Sequence, residues 1–302
     1  MVIREAPKPW ELLFILRGSI IPAIWPQLLA VIAIASFITW AEMRGILYWQ
    51  AISPLAFSLI GIALSIFSGF RNSASYERWW EARKVLGQHI VEMRSLSRQV
   101  AAYCGLRKGA RLLRLMLVFV EAFRSHLRGE AMGPDGLRQA ERANYKLPAT
   151  SSNLPDRLLT EMGVELARLA RETKLAPQLL QVMEERLIAM SSVLAAAERI
   201  KLTPLPFAYS LLLHRTAYLF CLLLPFGLID TAGLWTPVLA GIVAYTFFGL
   251  DALGDQLAAP FGTEDNCMPL SAISRTIEIG ILETLGETEI PPQREPKGYV
   301  LD

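Results

Sequence analysis

Ile62, Ile66 and Phe70 recur at four-residue intervals inside Gly45 to Phe70, a stretch of 26 residues with no charged side chain. On a helix the three form one apolar stripe, flanked by the small residues Ser58, Gly61, Ala63, Ser65 and Gly69. Such a stripe ligates nothing. The chemistry open to it is exclusion, because a ring of these side chains gates an ion by dewetting or by fit. One chain with a single apolar seam cannot enclose a water path. The pattern therefore predicts a helix that faces copies of itself around an axis. The alternative is that the same residues are ordinary core or lipid contacts. The uncharged run exceeds the about twenty residues a helix needs to cross a bilayer.

The ionisable residues near the apolar stretches are few. His214 and Arg215 interrupt a later apolar block, and an ionisable group there is functional by default. Both lie close to the Pro204 end, so Arg215 is expected to snorkel or pair at an interface, with Glu81 or Asp251 as partner. Arg71 and Asn72 follow the stripe directly. They are expected either to touch the path or to serve a packing or helix-terminal role. Trp79 and Trp80 read as interfacial or packing anchors. His89, His126 and His214 stand at no metal spacing, and no HExxH, GxSxG, P-loop or GxGxxG is present. Cys104, Cys221 and Cys267 form no CxxC and read as buried thiols. The carboxylates lie mostly on amphipathic stretches, where exposed i,i+4 pairs account for them. The chain reads as no enzyme, with no metal and no cofactor.

The elements that position these residues follow from the distribution of charge. The chain of 302 residues is 53% hydrophobic and only 19% charged, against about 25% charged in soluble domains. Mean hydropathy is +0.34. The apolar excess falls in four blocks: Gly18–Ala41, Gly45–Phe70, Leu202–Ile229 and Thr231–Leu250. The joints within each pair are very short, so each pair predicts a helical hairpin. Arg4, Lys8 and Arg17 precede the first block, Arg71, Arg78, Arg83 and Lys84 follow the second, and Arg199 and Lys201 precede the third. The positive-inside rule then puts both termini and the middle segment in the cytoplasm. A net charge of +2 argues against nucleic acid. MVIREAPKPWELLFILRG lacks the pattern of a signal peptide.

The expected organisation is a cytoplasmic N-terminal segment over 1–17 and a membrane hairpin over 18–70 with a pore-lining second helix. A cytoplasmic helical domain follows over 71–201, a second hairpin over 202–250 and a cytoplasmic segment over 251–302. The middle reads as four amphipathic helices, with a turn and loop and one short helix between Gly129 and Asp156. No stretch alternates long enough for a sheet. After Asp251 one helix is expected, Leu270 to Leu285, and then an irregular Pro-rich end on a surface.

GFRNSASYERWWEARKVLG (69–87), AERIKLTPLPFAYSLLLHRT (197–216) and PFGTEDN (260–266, after Gln256) stand in this order with the four-block layout. In these segments the chain resembles the bestrophins, specifically a bacterial relative of the animal channels, over nearly its whole length. The resemblance implies an all-α membrane protein with four transmembrane helices per protomer and a cytoplasmic helical bundle. It implies a homopentamer around one axial pore in the bacterial inner (plasma) membrane, with lipid and permeating monovalent ions as its other partners. It places the neck at Ile62, Ile66 and Phe70 and a second, inner constriction near Leu175 to Leu180, with Gln178 or Leu179 facing the axis.

Two departures from the animal members bear on function. Where three aromatic levels line their neck, two levels here are Ile, which offers an anion no aromatic edge. The expectation is a preference for monovalent cations, with a chloride or other anion channel as the alternative. At the calcium clasp Gln256 and Glu264 match by position, but Ala259 and Cys267 replace an Asn and an Asp. Calcium needs at least about six oxygen ligands, so calcium independence is expected. The plain reading of the same segment is a turn capped by Asp265 and Asn266. From another class comes a membrane-anchored scaffold or sensor that conducts nothing. A carrier would need inverted repeats and matched helix breaks, and the prolines at 22, 26, 54, 225 and 237 do not supply them.

Overall fold

The structure is a computed structural model describing residues 1–302 except 5–7, 9, 17, 47–53 and 149–150. Arg17 and residues 47–53 of the second apolar block lie outside the described residues. The described residues are helical with no strand, and the only extended pairings are isolated bridges from Val2 and Lys297 to Val300. The chain forms two compact units.

The first unit comprises Arg4–Trp79 and Pro204–Pro260. It holds α1 (Ile21–Met43), the apolar part of α2 (Pro54–Gln99), α7 (Phe207–Ala232) and α8 (Thr236–Ala258). Among the described residues three helical stretches are long and apolar enough to cross a membrane: Ile21–Met43, Leu55–Cys104 and Phe207–Ala258. The third contains both α7 and α8. Gly233, at a φ of 52°, breaks it, and a short 3-10 turn leads to Pro237 in the first turn of α8. The four apolar blocks thus appear as four helices. Their core joins Ile24, Val31 and Ala35 of α1, Leu64 of α2, Leu213, Phe220 and Leu224 of α7, and Ala244, Phe247 and Phe248 of α8. At Gly227 a Cβ would lie 2.3 Å from the Phe57 ring, so only glycine lets α2 approach α7 this closely. Much of the remaining apolar surface is outward: Trp25, Leu29, Phe37, Trp40, Leu59 and Phe67 are exposed. Helices apolar around their whole circumference suit a lipid surround.

The second unit comprises Met1–Ile3, Trp80–Thr203 and Phe261–Asp302. It takes the rest of α2, a π turn over Val100–Cys104, α3 (Leu106–Arg128), α4 (Pro134–Arg142), α5 (Leu154–Thr173), α6 (Pro177–Leu202) and α9 (Leu270–Leu285). α3 is central and packs on α4, α5, α6 and α9. Its face of Leu112, Leu113, Met116, Phe119 and Phe123 is buried, as its three- and four-residue spacing demands. Asn153 caps α5 by accepting the Asp156 N–H at 3.2 Å. The short helix expected between Gly129 and Asp156 is α4, and α9 has the expected bounds. The segment after α9 is irregular and largely exposed until it pairs with the N-terminus, where the Met1 amine donates to the Leu301 carbonyl at 2.6 Å. Inside this unit burial works to raise the Glu165 carboxyl, but hydrogen bonds from Arg168 and Arg111 hold it below the usual range. All three cysteines are buried, and among the described residues none is in a disulfide. Burial pushes the Cys104 and Cys267 thiols up, which fits inert packing residues.

His89, on the polar part of α2, is buried against Phe119 and Phe123, with ring centroids 5.8 and 4.7 Å away. Neither ring nitrogen has a hydrogen-bond partner among the described residues. Burial lowers its pKa from 6.5 to about 3. The unfolded chain therefore binds a proton that the fold refuses. The stability this confers is complete above the unfolded pKa and is lost as pH falls through the window down to about 3. At pH 5 the loss is about 2 kcal/mol per protomer. The thermal midpoint in detergent should drop between pH 7 and pH 5, and His89→Leu should remove most of that drop. An equal drop in the variant would show that another group carries it.

Candidate functional site

α2 is unbroken from Pro54 to Gln99, so one helical wheel describes it. Leu64, Arg71 and Ser75 are buried on one side. Ile62, Ile66 and Phe70 lie about 180° away on a helix of 3.6 residues per turn. They are 59%, 52% and 63% exposed. They are surface of this unit, open to lipid, water or another chain, and not its core. Beside them runs an apolar groove of about 560 Å³, with Ser58, Gly61, Ile62, Ser65 and Ile66 on one wall and Phe220, Leu224 and Phe247 on the other.

The inward side carries a charge cluster. Arg71 donates through Nη1 to Asp251 Oδ1 at 2.6 Å and to the Asp251 backbone carbonyl at 3.2 Å, and through Nη2 to Asp255. His214 Nδ1 lies 2.6 Å from Asp251 Oδ2. Arg78 Nε donates to the Ala258 carbonyl at 2.6 Å. Gly254 makes the approach possible, since a Cβ there would lie 2.4 Å from Asn72 Oδ1 and 3.2 Å from Arg71 Nη1.

Of the roles expected for Arg71 and Asn72, the structure shows packing against α8. Arg71 and Asn72 are neither at a helix end nor on the seam's face. One residue turns the helix by about 100°, which carries Arg71 from the Phe70 side toward α8. Arg215 pairs with neither expected partner: Asp251 is taken by Arg71 and His214, and Glu81 by Arg199. Arg215 is exposed, with no ion pair among the described residues. A sequence signal for the cluster existed. Asp251 and Asp255, four apart at the end of an apolar helix, share a face and require a cation.

The other expected site residues are dispersed. Pro177 opens α6, with Gln178 exposed and Leu179 half-buried in its first turn. Gln256 lies in α8 of the first unit, and Glu264 in the turn that opens the last stretch of the second. The Cys267 N–H donates to the Glu264 carbonyl at 2.9 Å. Among the described residues no group of three His, Cys, Asp or Glu is gathered as metal ligands would be.

A family model described as bacterial/fungal bestrophin protein matches residues 1–283. A Mesorhizobium japonicum protein named "Voltage-dependent anion channel-forming protein mll4386" is 40% identical, over 98% of this chain and 95% of its own. The Salmonella typhi "Voltage-dependent anion channel-forming protein YneE" is 38% identical over all of both chains. A bacterial bestrophin homologue from Klebsiella pneumoniae superposes with a TM-score of 0.80 at 34% identity, covering 88% of this chain and 100% of that one.

Proposed function

This chain belongs to the bacterial and fungal bestrophin family, and on that premise we propose that it is a membrane ion channel in which α2 helices from a homopentamer surround one axial pore. α1, the apolar part of α2, α7 and α8 are its four spans, with both termini in the cytoplasm of a bacterial inner membrane. Ile62, Ile66 and Phe70 form a hydrophobic neck, and Gln178 or Leu179 an inner constriction. The observation that carries this reading is the division of α2 into a packed side and an exposed apolar seam. A seam left open by its own unit calls for other copies, and closed cyclic symmetry is how identical seams enclose a path.

On the ion, two observations favour different readings. The relatives are named anion channel-forming proteins, which supports anion passage and is the stronger support available. The seam supports the other reading, cation preference, because Ile stands at two of its three levels. With Ala259 and Cys267 at two clasp positions, conduction is independent of calcium. The test is purified protein in a planar bilayer under a potassium chloride gradient, with calcium chelated. Currents are expected, and their reversal potential assigns the ion. Ile66→Phe should move the reversal toward the chloride potential. A detergent mass of one or two protomers in folded protein would sink the shared pore, and current that needs calcium would sink its independence.

A further inference from the structure

The outward face of α2 does not end at the neck. Because the helix is continuous, the position of the seam on its wheel can be followed beyond Phe70. Ser73 comes first, exposed and uncharged. Glu77 comes next, about two turns and about 10 Å along the axis from Phe70 and within about 20° of Ile66. Its side chain is exposed. The nearby carboxylates are engaged: Asp251 and Asp255 by Arg71, and Glu81 by Arg199. Glu77 has no hydrogen bond or ion pair among the described residues. The adjacent Arg78, on another face, is turned to the Ala258 carbonyl. One turn on, Glu81 lies within about 20° of Phe70 but is held by Arg199, and Lys84 follows two turns beyond Glu77.

A free carboxylate on the line of a pore-facing seam costs nothing to solvate if that line borders water. Repeated by symmetry, it becomes a ring. One such charge acts weakly through water at this range, but several around one axis beside a low-dielectric constriction add and focus their field. An apolar neck discriminates poorly between ions of opposite sign, so charges flanking it carry much of that choice.

Resting on the channel reading above, we propose that the Glu77 carboxylates form a ring in the permeation path at the Trp79 end of the neck, concentrating monovalent cations there and opposing anions. Glu77 is then a specificity-determining residue, and it acts in this direction whichever ion the unmodified channel favours. The test is the reversal potential of purified protein in bilayers under a potassium chloride gradient, for the unmodified chain, Glu77→Gln, Glu77→Lys and, as a control off α2, Glu295→Gln in the exposed C-terminal segment. Glu77→Gln should lower the potassium-to-chloride permeability ratio by about tenfold, and Glu77→Lys by more. The control should move it much less. Because Glu77 is exposed and unpaired, the size-exclusion profiles should match. Conducting Glu77 variants with unchanged reversal, or a control that shifts as far, overturn the inference and leave the channel reading standing. Absence of current in the unmodified protein overturns the channel reading, and the inference with it.

Discussion

The variant carrying Ile62→Ala, Ile66→Ala and Phe70→Ala is expected to pass at least about tenfold more current than the unmodified protein, with an unchanged size-exclusion profile. The first half follows from dewetting. A ring of Ile and Phe side chains excludes water, and an ion must shed hydration to cross it. A barrier lower by about 1.4 kcal/mol is already a factor of ten in rate. Trimming each level at every protomer at once should exceed that. The second half follows from the wheel of α2. Large-to-small changes in a packed core cost about 2–5 kcal/mol each, and three together would disperse the protein. These three residues lie opposite Leu64, Arg71 and Ser75, and each is more than half exposed. Cutting them back widens a groove at the surface and leaves the buried core in place. A dispersed variant would mean that the seam is packed in the assembly, and an intact one with unaltered current would mean that the neck is elsewhere.

The sequence showed runs and spacings, and the structure added directions. The four apolar runs, joined by short links within each pair, lie largely in helices, which satisfy the backbone groups within the segment itself. The four-residue spacing of Ile62, Ile66 and Phe70 put them on one face, but spacing alone does not say which way a face turns. That required the positions of Leu64, Ser75 and the α7 and α8 residues packed on α2. The appearance of Arg71 after the last apolar residue left a helix end, a packing role and a place on the path all open. Gly69 does not break the backbone there, and α2 continues to Gln99. A change of solvent along a helix is not a change of secondary structure. The partner of Asp251 was equally hidden. His214 and Arg215 are adjacent in sequence, yet about 100° apart on α7, and only His214 is turned to α8.

That same carboxylate makes Arg71 the residue whose loss should do the most damage to the fold. The Arg71 side chain is 4% exposed and that of Asp251 11%, at 2.6 Å, while Asp255 is 63% exposed. The exposed partner contributes little, about 0–1 kcal/mol. The buried pair decides the outcome, because removing one member leaves the other charge uncompensated at a cost of about 3–5 kcal/mol. Arg71→Ala should therefore lower the thermal midpoint sharply, or abolish monodisperse protein altogether. Adding Asp251→Asn should recover part of the loss, since the stranded charge is then gone. Arg71→Lys should fall between, because a single ammonium cannot span Asp251 and Asp255 as the guanidinium fork does. Current is the wrong readout here, since a misfolded channel and a blocked one look alike. Fluorescence-detected size exclusion and the midpoint of the surviving fraction separate them. If Arg71→Ala keeps both its profile and its midpoint, the ion pair does not hold α2 to α8, and the side chain is free to serve the path instead.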